Sequence, residues 1–396
     1  MADILERLEI NLPPKSRILV AMSGGVDSSV VAAVLQYLGH EVIGATLQLY
    51  NHGEAVKKKG ACCAGADIAD AKRVAQKINI PHYVLDYEDR FSEVVIDDFV
   101  ASYLRGETPL PCVRCNQTVK FHDLYAMAKK LSADSLATGH YVRRVMGDDG
   151  RPELWAGGQT FEKDQSYFLF ATTPQQLAFL RFPLGNISKH QTRWLADFFD
   201  LSVAQKPDSQ DICFVPKGDY RQVVKDRQPD AIKTGNIILK NGETIGRHDG
   251  VINYTVGQRR GLKIGGRKKK NGNNHHKGVH DALYVLAVDF QKNQVVVGDR
   301  RDLSVSRVVL QECYWLCDAP LPSSVMVKYR STMPPVVAKL IKEKNSMMVE
   351  FATPAIGIAA GQALVVYEKT GGVKKNWRLL GGGFITRDHL LPFLAA

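Results

Sequence analysis

The sequence lacks any apolar run of membrane-spanning length. Its first residues, MADILERLEINLPPKSR, lack both the basic and apolar regions of a secretory signal and the Arg-rich pattern of a transit peptide. No membrane partner is expected, and a cytoplasmic location is. A disulfide framework is missing too: seven cysteines is an odd number, spread unevenly over 396 residues, which favours reduced thiols open to function. Acid is in deficit. With 52 Lys and Arg against 41 Asp and Glu, the net charge of +11 favours a polyanionic partner such as nucleic acid, although a merely basic enzyme would show the same balance.

What is present is ordinary globular material: 45% apolar and 23% charged residues, over a length that calls for two or three domains. Arg17 to Met22 reads as a strand, Ser28 to Gly39 as a helix and Glu41 to Leu49 as a second strand. Asp67 to Ile78 is helix-like, and His82 to Leu85 returns to strand character. Such alternation predicts a parallel sheet flanked by helices. Leu131 to Tyr141 adds a helix-to-strand step ending in Gly139-His140, and strand ends of this kind are where open α/β sheets bind ligands.

Past Val215 the pattern becomes short strands between turn residues, first at Asn236 to Leu239 and Ala282 to Val288. Five runs, Val325 to Tyr329, Val336 to Ile341, Ser346 to Phe351, Ala363 to Tyr367 and Leu379 to Ile385, then suggest a small β-barrel or sandwich. The expected division is a nucleotide-binding catalytic domain over 1–217, a small central domain over 218–291 and a C-terminal β-barrel domain over 292–396. The basic, Gly/Asn-rich stretch around 267–277 reads as a surface loop, either a solvated insertion or an RNA contact.

Between the first strand and helix lies Ser23-Gly24-Gly25-Val26-Asp27-Ser28-Ser29. Its glycines let backbone N–H groups approach an anion at the helix N-terminus. It has no Gly-Lys-Ser/Thr, and so lacks the lysine with which a Walker A loop reaches the terminal phosphates. Ser23, Ser28 and Ser29 offer hydroxyls instead, and Asp27 a carboxylate that could hold Mg²⁺. The string resembles the signature of the ATP pyrophosphatase (PP-loop) enzymes. That resemblance implies cleavage of ATP between its α and β phosphates, but does not choose the substrate.

Cys112-Val113-Arg114-Cys115 opens a helix, whose positive end would favour thiolates, and Cys213 follows in Asp208-Ser209-Gln210-Asp211-Ile212-Cys213-Phe214. Taken alone, the pair reads equally as redox, metal-binding or incidental. With SGGVDSS, PCVRCN, ATGHY at Ala137 to Tyr141, KDQSYFL at Lys163 to Leu169, DSQDICF and GQRRGL at Gly257 to Leu262, joined by AGQALV at Ala360 to Val365 and LLGGGFI at Leu379 to Ile385, the chain closely resembles the bacterial tRNA-specific 2-thiouridylases over nearly its whole length.

The resemblance implies that ATP adenylates O2 of the wobble uridine in the tRNAs for Lys, Glu and Gln, and that sulfur displaces AMP to give 2-thiouridine. It implies an ATP site of Ala21, Met22, Ser23, Gly24, Gly25, Val26, Asp27 and Ser28 with Leu47 and Gly139. Leu110, Pro111 and Cys112 would surround the target base. His140, Lys163, Asp164, Gln165, Lys328, Tyr329 and Gln362 would meet the tRNA. Cys213 would carry a persulfide and Cys115 would assist its release, with a cysteine desulfurase as donor, directly or through relay proteins.

In the better-known branch of the family an aspartate stands at the place of Cys112, and a thiol cannot inherit its acid/base role. Related thiolation enzymes bind a 4Fe-4S cluster through three cysteines, for which Cys112, Cys115 and Cys213 are the alternative reading here. Cys62, Cys63, Cys313 and Cys317 read as structural. Rival functions are another PP-loop ligase or amidotransferase using an amine nucleophile, and a non-catalytic tRNA-binding protein.

Overall fold

The computed structural model describes all residues except 51–63, 158–162, 209–210, 216–217, 265–281, 318–319, 344–345, 371–375 and 395–396. Cys62, Cys63 and the basic stretch 267–277 therefore lie outside the described residues. None of the described helices is long and apolar enough to cross a membrane.

The first unit is built on strands β1 (Arg17–Ala21), β2 (Glu41–Gln48), β3 (His82–Asp86) and β4 (Ser135–Ala137). Ile18, Leu19 and Val20 are wholly buried, as a parallel strand covered on both faces requires. The helix after β1, Val26–Tyr37, is apolar nearly all round and buried from Val26 to Leu35, save for the partly open Asp27. It is sandwiched between the sheet and helix Lys189–Phe198, which begins with a Ser188–Gln191 capping box. A hairpin, β5 (Val142–Met146) and β6 (Pro152–Ala156), leaves the unit before β7 (Leu180–Arg181) completes its sheet.

All pairings in that sheet are parallel, in the order β3-β2-β1-β4-β7. The order reverses between β1 and β4, and the crevice beyond their C-terminal ends is where such sheets take ligands.

The central sheet has the order β10-β11-β8-β9, from β8 (Gly235–Leu239), β9 (Thr244–His248), β10 (Tyr284–Asp289) and β11 (Gln294–Gly298). Strand β11 pairs with β10 and β8, so it belongs with the central sheet, on the far side of the division expected at 291/292. Strands β12 (Ser304–Trp315), β13 (Ser324–Lys328), β14 (Val336–Lys342), β15 (Met347–Ile356), β16 (Ala363–Thr370) and β17 (Asn376–Ile385) follow. They close into an antiparallel barrel, because β12 pairs with both β15 and β17. The start of β17 also pairs with β6, at Arg378–Trp155 and Leu379–Leu154, so the hairpin of the first unit extends the barrel's sheet. Leu154, Ala156, Phe170, Val365, Leu379 and Phe384 form one core across the junction.

Candidate functional site

Strand β1 delivers the glycine loop to the switch point. Gly24 has φ +74, and a Cβ there would lie 2.1 Å from the Asp67 carbonyl oxygen, so glycine is required for both conformation and space. Gly25 is the N-cap and brings no side-chain cap, leaving the first-turn N–H groups open for an anion. Gly139, beyond β4, presses on the same turn: its Cβ would sit 2.8 Å from the Ser28 nitrogen. Ser23 is exposed, and its N–H donates to the Ser28 hydroxyl at 3.1 Å. Ser29 departs from expectation. It is buried and its hydroxyl donates to the Gly25 carbonyl at 2.8 Å, so it shapes the loop and is not free for phosphates. Met22 is buried, while Ala21 and Leu47 line the core beneath the loop.

Cations from distant sequence surround this turn. The Asp27 Oδ1 accepts from Lys189 Nζ at 2.6 Å and from the Tyr141 hydroxyl at 2.8 Å. Burial, then the neighbouring Asp27, pushes the Tyr141 phenol far up, so it serves as a donor. Lys189 also meets Asp208 at 2.7 Å, where Lys163 (3.0 Å) and Arg193 (3.2 Å) converge. Burial works to raise the Asp208 pKa, but the hydrogen bonds from Lys189 and Lys163 outweigh it and hold the carboxylate ionised. Lys206 ties the Gly24 carbonyl (2.9 Å) to Asp67 and Asp70 (both 2.6 Å). Lys189 and Lys206 carry no motif signal in the sequence, and Tyr141 enters there only as the last residue of ATGHY. Lys189 had a faint signal, as a charge at the first position of a capped helix.

The thiols stand on the neighbouring wall. Pro111–Arg114 is one α-helical turn that runs into a π-helical stretch, Cys115–Asp123, and such turns are frequent at functional sites. Cys115 is buried, while Cys112 and Cys213 keep surface open to solvent. Desolvation raises all three thiols, Cys213 to about 12 with Cys115 and Cys112 adding to the effect, and the Lys120 charge opposes it at each. Burial, with the Lys120 charge adding to it, lowers His140 to about 3. The imidazole lies edge-on to Phe121 and Phe182, with Nδ1 2.7 Å from the Thr138 hydroxyl. The Lys120 charge thus acts on the three cysteines and His140 alike, another residue the sequence did not advertise. Cys313 and Cys317 belong to the barrel core, apart from this group.

The remaining expected contacts divide. Lys163 is exposed beside Asp208, and Gln165 accepts the Tyr141 N–H at 2.9 Å. Asp164 and Lys328 depart from the expectation of meeting tRNA: their side chains are 1% and 7% exposed and pair with each other at 3.5 Å. Asp164 also accepts from the Gly157 and Ser166 N–H groups and the Ser166 hydroxyl, so the pair fastens barrel to first unit. Tyr329 packs on Phe351. Gln362 donates to the Thr108 carbonyl at 3.1 Å, and the Thr108 N–H donates to the Ala360 carbonyl, which braces the segment leading through Leu110 and Pro111 to Cys112.

Three family models match in succession, described as a tRNA methyl transferase HUP domain over residues 16–217, a tRNA methyl transferase PRC-barrel domain over 221–299 and an aminomethyltransferase beta-barrel domain over 305–385. The tRNA-specific 2-thiouridylase MnmA of Rhodospirillum centenum is 54% identical over 389 residues, 97% of this chain and 95% of the relative. That of Rickettsia bellii is 53% identical over 94% of this chain and 97% of the relative, and that of Hyphomonas neptunium 51% over 95% and 92%. With identity of this extent over the loop, the thiols and the barrel alike, the chain belongs to the tRNA-specific 2-thiouridylase family.

Proposed function

We propose that the protein is a tRNA sulfurtransferase that uses ATP to activate the wobble uridine of the tRNAs for Lys, Glu and Gln, and then exchanges O2 for sulfur. One observation carries this reading: Gly139 packs on the nucleotide loop at Ser28, while the next residue, His140, shares the Lys120 charge with Cys112, Cys115 and Cys213. The Gly139–His140 step thus links a phosphate cradle to the surroundings of the thiols. A uracil carbonyl oxygen is a poor leaving group, and its adenylate is a good one, so the cradle and the thiols both have work to do. The methyl transfer named in the domain descriptions would not call for such a loop.

Asp27 Oδ2 has no hydrogen-bond partner among the described residues, and one carboxylate oxygen plus phosphates is an ordinary Mg²⁺ environment. When bound, Mg²⁺ would screen the phosphate charge. The cluster alternative fits less well. Among the described residues no three His, Cys, Asp or Glu side chains converge as a metal-holding set, so Cys112, Cys115 and Cys213 do not present a ready three-thiolate site. The persulfide reading is favoured: Cys213 carries the sulfur, and Cys115, buried beside it, displaces it to form a disulfide. A cysteine desulfurase, with or without relay proteins, is the donor class, and the cytoplasm the compartment.

The test is tRNA-dependent pyrophosphate release and 2-thiouridine formation in wild-type, Asp27→Ala and Cys213→Ser proteins, with iron and sulfide analysis of anaerobic preparations. Asp27→Ala should abolish both reactions, and Cys213→Ser only the second. Pyrophosphate release untouched in Asp27→Ala would sink the reading of the loop, and about four irons per chain lost with each cysteine would restore the cluster.

A further inference from the structure

The other cations of the site each pair with a carboxylate: Lys189 with Asp27, Lys206 with Asp67, Lys163 with Asp208 and Arg114 with Glu312. Lys120 does not. It is partly buried, and among the described residues nothing accepts a hydrogen bond from it or forms an ion pair with it. We propose that Lys120 is a catalytic residue that pairs with the terminal sulfur of the Cys213 persulfide as that sulfur attacks the activated uridine. The proposal rests on the persulfide reading above.

Lys120 stands in the π-helical stretch Cys115–Asp123, whose i to i+5 ladder sets it one turn beyond Cys115. Its chain neighbours reach two different walls. Val119 is wholly buried in the cluster that also holds Cys115 and Phe214, the residue after Cys213. Phe121 meets the His140 ring edge-on at 5.9 Å. Lys120 leaves the helix between these two contacts, and its charge is accordingly felt at Cys112, Cys115, Cys213 and His140. None of the four answers it with a negative charge near neutral pH, since burial holds the thiols protonated and the imidazole neutral. The acids around this helix are engaged elsewhere, Asp98 and Glu312 with Arg114, and Asp123 with Arg90 and His122.

An ammonium partly stripped of water and given no acceptor is unfavourable in itself. Such a cation is arranged for an anion that arrives. The surroundings say which: Lys120 is ringed by sulfur, whereas the nucleotide loop has cations of its own in Lys189 and Lys206. Of the sulfurs, Cys213 keeps surface open to solvent and can be loaded by a donor, while Cys115 is buried.

A sulfur anion, not its acid, is the nucleophile, and a lysine beside it favours the anion. The terminal sulfur of the persulfide gives an electron pair to uridine C2. The C2–O2 bond breaks, and its pair leaves on AMP. A C2–S–S–Cys213 link results, and no proton moves in the step.

The experiment charges the full-length protein with a cysteine desulfurase and radiolabelled cysteine, removes the donor, and adds Mg-ATP and tRNA, with Cys213→Ser as the blank. Persulfide loaded on Cys213, single-turnover pyrophosphate release, and label passed to tRNA per loaded persulfide are read separately. Lys120→Met should load sulfur and release pyrophosphate as wild type does. Its label transfer should be slower by roughly 100-fold, the usual loss for one donor aimed at reacting charge, with Lys120→Arg recovering part of it. Lys120→Gln, polar but uncharged, should share the loss, and decides alone if Lys120→Met fails to fold. Label transfer at the wild-type rate in either folded variant would overturn the proposal. So would an equal slowing of pyrophosphate release, which would put Lys120 on nucleotide or tRNA, and so would a loss confined to loading, which would put it at the donor. A wild-type protein that loads no persulfide on Cys213 would refute the persulfide reading instead.

Discussion

Arg114 offers its guanidinium fork to both carboxylate oxygens of Glu312, at 2.6 and 2.9 Å, across 198 residues of sequence. Arg114 lies between Cys112 and Cys115, and Glu312 lies on β12 of the barrel. The guanidinium also stacks 4.5 Å from the Phe384 ring centre and stands 3.4 Å from Asp98. The barrel therefore sets where the two thiols point.

Replacing Arg114 by Lys keeps the charge but loses the planar fork. Because Glu312 is 43% exposed, solvent discounts the pair, and the cost to stability should be about 1 kcal/mol. Thiolation should suffer more than stability does. Denaturant midpoints and product formation, measured together on Arg114→Lys and Glu312→Gln, check this; equal small losses in both would mean that the barrel does not position the thiols.

The Asp164–Lys328 pair should behave as structure. Lys328→Met removes a cation that is 7% exposed and should cost about 1–3 kcal/mol in stability, with Asp164 still held by its three other donors. Because a buried ammonium releases no counterion, the slope of log affinity for tRNA against log salt should be unchanged. A slope smaller by about 0.9 in the variant would show a phosphate contact.

His140 gives a pH dependence with a definite sign. Its folded value, about 3, lies below the ordinary 6.5, so between these limits the unfolded chain holds the extra proton. The contribution of neutral His140 to stability is complete above about pH 6.5 and drains away as the pH falls toward 3. Denaturant midpoints at pH 4.5 and 7.5 should differ more in wild type than in His140→Gln; identical differences would show that the imidazole titrates normally. Near neutral pH the ring is uncharged, so any contact with tRNA is a hydrogen bond or a stack, not an ion pair.

Much of this was legible in advance where the signal is local. The run RILVAM becomes β1 because a strand covered on both faces must be continuously apolar, and the glycine loop follows because no other residue fits at Gly24. Five of the six barrel strands appear within a few residues of their apolar runs, and β12 is the one without such a signal. Hairpin β5–β6 is not legible locally, because the strand it extends lies more than 200 residues away. The same holds for Lys189 and Lys120, whose meaning is in what they face. Asp164 and Lys328 show the converse: a polar residue in a recognisable motif can be spent on holding two domains together.

Hairpin β5–β6 also bears on how the molecule can be divided. The barrel closes on itself along the far part of β17, whereas Arg378 and Leu379 pair with β16 on one side and with β6 on the other. A fragment beginning after Gly298 would keep a complete barrel and still expose one short strand edge at the start of β17, with the apolar Trp377 and Leu379 on it. Such edges recruit other chains. The excised barrel should therefore be a poor independent solute, prone to self-association, and the first unit is its built-in chaperone.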